Sequence, residues 1–176
     1  MTAPFVPTCD LCDAHKDDAD GAFRVLPGVF RHFGGRTRFE GPVSTVKCFE
    51  DNTSVRAAVQ SPGHGRVLVV DGGASLRRAL LGGNLAAAAA DNGWAGVVID
   101  GAVRDVAELA AAGIGICAIG IMPMASARRA EGQRDVPVVV QGVAVCAGEW
   151  LVADEDGIVV MPSMPSMPSI PSRPAP

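Results

Sequence analysis

Aromatic side chains are scarce, 5% of 176 residues, so the core must be assembled from Val, Ile, Leu and Ala. That composition suits an α/β sheet. An excess of positive charge is also missing: the formal net charge is −4 and the pI is near 5.3. Nucleic-acid binding draws on clustered positive charge, so direct contact with RNA or DNA is disfavoured. No apolar run approaches the roughly 20 residues of a membrane-spanning helix. Met1 to Pro7 is short and precedes Asp10, Asp13, Asp17, Asp18 and Asp20, so no signal-peptide pattern opens the chain. A cytoplasmic protein without membrane contact is expected. Five cysteines, Cys9, Cys12, Cys48, Cys117 and Cys146, form an odd, scattered set that fits reduced thiols better than a disulfide framework. No Gly-x-Ser-x-Gly, P-loop or Gly-x-Gly-x-x-Gly pattern occurs, which disfavours triad hydrolases, P-loop NTPases and dinucleotide enzymes.

The length predicts a single domain, residues 1–160. Residues 161–176 turn into a Met-Pro-Ser repeat with proline at every third position, which forbids helix or central strand and reads as a disordered, partly polyproline II tail. Within the domain, Thr8 is placed to cap a first helix ending near Gly21. A strand is expected over Val43 to Phe49, and a short helix capped by Asn52 through Gln60. Two similar units follow, Val67 to Gly72 and Val97 to Gly101, each with a helix behind it. Their aspartates, Asp71 and Asp100, lie 29 residues apart, as in a βα repeat. From Val136 onward the pattern becomes short strands separated by turns.

The stretch Val98 to Asp105 carries the candidate chemistry. The apolar run Ala95 to Ile99 reads as a buried strand broken by Asp100-Gly101, and Val103 to Ala112 has helical spacing. Ligands of open α/β sheets bind at such strand ends. Arg104 and Asp105 set a guanidinium, suited to an anionic oxygen, beside a carboxylate, suited to a cation. Gly82, Gly83, Asn84 and Leu85 open a helix of alanines, where backbone amides and the helix dipole favour an anion. Cys9-x-x-Cys12 has no second pair and reads as two ordinary thiols on a helix. His32 and His64 lack a partner at motif spacing, and Asp154 to Gly157 reads as a hairpin turn.

Several separated motifs, Asp71 to Leu80, Gly93 to Gly96, Gly101 to Asp105, Gly132 to Pro137 and Ala153 to Gly157, resemble those of the regulator of ribonuclease E activity A (RraA-like) family. That family includes the class II 4-hydroxy-4-methyl-2-oxoglutarate/4-carboxy-4-hydroxy-2-oxoadipate aldolases. The resemblance spans Thr8 to Val160. It implies a swivelling-domain-like β/β/α sandwich that assembles as a homotrimer or a dimer of trimers. In the aldolase branch it implies divalent Mg²⁺ or Mn²⁺ anchored by Asp105, and substrate oxygens held by Arg104. The pyruvyl carboxylate would meet the amides of Gly82, Gly83, Asn84 and Leu85. The implied activity is cleavage of a small 2-keto acid to pyruvate, with oxaloacetate decarboxylation from the same enolate. The other branch implies a non-catalytic regulator that binds a ribonuclease E-type protein partner. One departure stands out: the aldolase pattern carries an Asp 21 positions before the Arg, and that position is Gly83. Glycine cannot orient water or move a proton, so slowed turnover is expected, with Gly83→Asp raising it.

Overall fold

The computed structural model describes residues 4–165. The chain opens with α1 (Thr8–His15), β1 (Arg24–Val25), β2 (Arg31–His32), β3 (Phe39–Lys47) and α2 (Thr53–Val59). Next come β4 (Val67–Asp71), β5 (Ala79–Leu81), α3 (Gly83–Asp91), β6 (Gly96–Val103), α4 (Val106–Ala111) and β7 (Gly115–Ile121). It closes with β8 (Gln133–Arg134), β9 (Val138–Val140), β10 (Val143–Val145), β11 (Trp150–Ala153) and β12 (Ile158–Met161).

Strands β3, β4, β6 and β7 pair in parallel, as the βα repeat predicts, and Asp71 lies in register with Asp100. Both faces of β4 and β6 are buried, which is why they read as unbroken apolar runs. Alternation sends Leu68 and Val70 toward α2, α3 and α4, where they meet Val55, Val59, Leu85 and Leu109. Val67 and Val69 face the other way, against Val140, Leu151 and Val160. Helices therefore cover one face of the sheet and strands the other, the expected mixed α/β layering.

The sheet curls because β3 belongs to two pairings. Phe39 to Pro42 pair antiparallel with β11, whereas Val43 to Lys47 pair parallel with β4. Beyond β11 the order continues through β12 to β1, and β9 with β10 forms a separate hairpin. Inside the curl, the Phe39 ring lies across β6 and β7 at Gly96 and Gly115, where an added Cβ on either glycine would strike the ring. A third, smaller core packs Leu11 of α1 against Val152, Val159 and Met161.

Several boundaries differ from the sequence reading. Asp100-Gly101 does not end β6, which runs to Val103 through a register shift between Ile99 and Ala102. The Asp100 carboxylate instead accepts from the Gln141 side chain at 2.7 Å and backbone at 3.2 Å. Helix α1 ends at His15, and Thr8 does not cap it. Asp154 does so across the molecule, accepting from the Thr8 N–H at 2.7 Å and hydroxyl at 2.6 Å. Asn52 gives no side-chain cap to α2, because Asp51 holds the Thr53 N–H at 2.8 Å. Strand β12 continues through the buried Met161, one residue into the segment read as tail. Residues 166–176, most of that tail, lie outside the described residues. Among the described residues, no helix is long and apolar enough to cross a membrane.

Candidate active site

Where β6 ends, the Arg104 N–H bonds the Leu81 carbonyl at 3.0 Å, locking the Arg104-Asp105 turn against the end of β5. Asp105 then adopts a left-handed conformation, φ 59° and ψ 46°, as the N-cap of α4. Such a backbone is uncommon for a residue with a Cβ and is concentrated at functional sites. It turns the carboxylate away from its own helix. Oδ2 accepts from the Gly83 N–H at 3.2 Å, at the start of α3, and lies 3.6 Å from the Arg104 Nε. The anion site predicted at the α3 N-terminus is thus partly filled by Asp105 itself.

The two glycines of this loop have distinct reasons. A Cβ at Gly82 would lie 2.5 Å from Asp105 Oδ2 and 3.2 Å from Arg104 Nε, so only glycine admits the pair so close. A Cβ at Gly83 would collide with the Glu108 side chain, carboxylate oxygen included. The space left by the absent aspartate is occupied by a glutamate. No side chain can enter at 83 unless Glu108 moves, so the structure places the Glu108 carboxylate beside the position where the sequence has only glycine.

Arg104, Asp105, Gly82, Asn84 and Leu85 line one wall of a cleft of about 100 Å³. Asn52, the N-cap of α2, and Arg56 within it, with Ala125, Ser126 and Arg128 from the segment after β7, line the other. Asp51 ties this second wall together. It is 1% exposed, and its Oδ2 accepts from the N–H groups of Arg129 at 2.6 Å and Glu131 at 3.3 Å. Burial alone would raise its pKa, but the Thr53 hydroxyl and the N–H groups of Thr53, Arg129 and Glu131 outweigh it and lower the carboxyl to about 2.

Among the described residues, no three His, Cys, Asp or Glu converge on one point, so no closed zinc-type site exists. A hydrated Mg²⁺- or Mn²⁺-type ion has other needs. It keeps several waters and takes one or two protein carboxylates. The partly exposed Asp105 carboxylate, 39% accessible, fits that donor set, with Glu108 one helical turn on. The remaining candidates stay apart from the cleft. Cys9 and Cys12 sit on α1. Cys117 is buried, its thiol 3.4 Å from His32 Nδ1 and pushed up to about 12 by burial, which makes it a core thiol. Asp154 to Gly157 forms the predicted hairpin turn, with Asp154 Oδ1 accepting from the Asp156 N–H at 3.0 Å.

The sequence marks Asn52 only as a helix cap and gives Glu108, Arg56 and Ser126 no role. For Glu108 a signal existed, since residues three apart share a helix face and Glu108 follows Asp105 by three. For the far wall there was none, because its residues come from segments about 70 positions apart in the chain.

Known proteins resemble this chain in sequence and fold. A family model described as "RraA-like: Aldolase/RraA" matches residues 8–160. A protein from Albidiferax ferrireducens named "Putative 4-hydroxy-4-methyl-2-oxoglutarate aldolase" is 66% identical over 168 residues, covering 91% of this chain and 96% of the relative. The solved structure of the RNA-processing inhibitor RraA from Thermus thermophilis superposes with a TM-score of 0.85 at 49% identity, covering 94% of this chain and 96% of that one. The structure of an S-adenosylmethionine:2-dimethylmenaquinone methyltransferase from Geobacillus kaustophilus gives a TM-score of 0.85 at 43% identity, covering 90% and 96%.

Proposed function

We propose, since this chain belongs to the RraA-like family of aldolases and RraA proteins, that it is a divalent-metal-dependent lyase. It would cleave 4-hydroxy-4-methyl-2-oxoglutarate or 4-carboxy-4-hydroxy-2-oxoadipate to pyruvate, with oxaloacetate decarboxylation as a side activity. The observation that carries this reading is the Glu108 carboxylate lying over Gly83 beside the Arg104-Asp105 pair. A regulator that works only by protein contact has no need of a guanidinium and a carboxylate lining one cleft, with a second carboxylate one helical turn away.

Each residue then has a task. Asp105 would hold the cation, which when bound draws electron density from the 2-oxo group and so eases cleavage of the neighbouring carbon-carbon bond. Arg104 would bind the oxygens of the 2-oxo acid and stabilise the negative charge that grows there as pyruvate enolate forms. In the cleavage (retro-aldol) direction, the proton of the C4 hydroxyl must leave as the C3–C4 bond breaks. Its electron pair becomes the second carbonyl, and the enolate later takes a proton at C3. Glu108, one turn along α4 from Asp105, would serve that transfer directly or through a water. Decarboxylation has no hydroxyl proton to remove and requires only the second half.

The regulatory reading draws on the likeness to the RNA-processing inhibitor, and the methyltransferase name on a second neighbour. A cleft whose apolar lining is Ala79, Leu81, Leu85 and Ala125 offers no aromatic platform for an adenosyl group. The deciding experiment follows pyruvate release from oxaloacetate and 4-hydroxy-4-methyl-2-oxoglutarate with Mg²⁺ or Mn²⁺. Release that stops with EDTA and falls at least ~100-fold in Arg104→Ala is expected. Metal-independent background rates would sink the enzyme reading in favour of the regulator.

A further inference from the structure

The far wall of the cleft holds polar groups that the protein leaves unused. Among the described residues, four enclosed side-chain atoms lack a hydrogen-bond partner: Arg24 Nε, Asn52 Oδ1, Arg56 Nε and Ser126 Oγ. Three of them belong to residues lining this one cleft, opposite Arg104 and Asp105. A buried polar group left unsatisfied is costly and rare in folded proteins, so three in one place mark a surface prepared for something else. Charge says what kind of group. Arg56, Arg104 and Arg128 line the cleft with Asp105 as the single carboxylate among its lining residues, in a chain whose net charge is −4.

We propose that Arg56 and Ser126, with the Asn52 amide, form a second anion subsite that takes the distal carboxylate of a dicarboxylic 2-oxo acid. Resting on the aldolase reading, this assigns the two ends of the substrate to two walls. The Arg104 wall takes the end that becomes the enolate, and the Arg56 wall takes the end that leaves. The guanidinium of Arg56 has a free Nε–H and a planar fork suited to a carboxylate. Ser126 offers a hydroxyl donor, and the Asn52 side chain can present either its oxygen or its amine to a neighbouring hydroxyl. Asp51 fixes the spacing, because it holds the backbone of Thr53 on α2 and that of Arg129 and Glu131 beyond Ser126.

Binding, measured apart from turnover, tests this. Pyruvate fills only the Arg104 end, whereas 2-oxoglutarate has both carboxylates but no C4 hydroxyl and therefore cannot be cleaved by an aldolase. Calorimetric titration in Mg²⁺ should find 2-oxoglutarate at least ~10-fold tighter than pyruvate in the native chain, as one charge-assisted hydrogen bond is worth about a decade or more. In Arg56→Gln that advantage should shrink to within ~2-fold while pyruvate affinity holds. Ser126→Ala should remove a smaller part, and Arg56→Lys should keep some of it. The subsite is refuted if native protein shows no preference, if the preference survives Arg56→Gln, or if both ligands weaken together. It is equally refuted if Arg56→Gln changes only the assembled mass, since a second copy would then be the partner of these atoms. Selective binding without pyruvate release would leave the subsite standing and remove the aldolase reading. Pyruvate release without selectivity would do the reverse.

Discussion

Glu108 and Gly83 make one unit, because the glutamate side chain occupies the volume that any side chain at 83 would need. Glu108→Gln keeps the shape and removes the titrating group, so aldol cleavage should fall by ~10²–10⁴, the usual worth of a general acid or base. Oxaloacetate decarboxylation should fall less, having no hydroxyl proton to abstract. Gly83→Asp alone should displace Glu108 and lower activity, whereas Gly83→Asp with Glu108→Ala should recover most of it. Pyruvate assays on the three variants decide this, and a gain from Gly83→Asp alone would show that Glu108 has no part. The Arg104-Asp105 pair was legible in the sequence because adjacency is a local property. That the Glu108 side chain lies over Gly83 was not, since the contact exists only where α3 and α4 meet.

The same limit applied to whole elements. The parallel strands were readable from their apolar runs, and α3 from its alanines; the helix stops at Asn92-Gly93, with Gly93 at φ 74°. The ends of β6 and α4 were misjudged because the Asp100-Gly101 turn signal was absorbed into a register shift within the sheet. Capping was misassigned at α1 and α2 for one reason: a neighbouring or distant carboxylate reached the free N–H groups first. At α2 this carboxylate is Asp51, whose folded pKa of about 2 lies below the ordinary 3.8. A lowered carboxylate pKa contributes stability above its unfolded value, and that contribution disappears as pH falls from 3.8 through about 2. Urea melts of native protein should therefore lose stability across that window. Asp51→Asn should be less stable at neutral pH by about 1–3 kcal/mol, in line with charge-assisted bonds to backbone, and should show a flatter acid limb. An unchanged acid limb in that variant would place the acid sensitivity elsewhere.

For the molecule entire, the curl could not be read from the sequence, because nothing in Phe39 to Lys47 announces that one strand serves two neighbours. Assembly is also a property of the complete surface. Phe49, Leu76 and Met124 lie beyond the ends of β3, β4 and β7, and Ile121 closes β7, each 45–55% exposed. Exposed apolar groups of this size are candidates for an association surface, which the homotrimer expected from the family resemblance offers. Light scattering should give three times the chain mass of 18.0 kDa, or six. Phe49→Asp should shift the mass toward the single chain, and a native monomer would refute the expectation.

The ring of Phe39, resting across Gly96 and Gly115, has a consequence for descent. These three positions, far apart in the chain, form a single heritable character. A lineage that gains a side chain at 96 or 115 must first give up the ring at 39, and one that loses the ring opens a void that small residues at 96 and 115 cannot fill. Phenylalanine at 39 and glycine at both other sites should therefore persist or vanish together across relatives, whatever each has come to catalyse or bind.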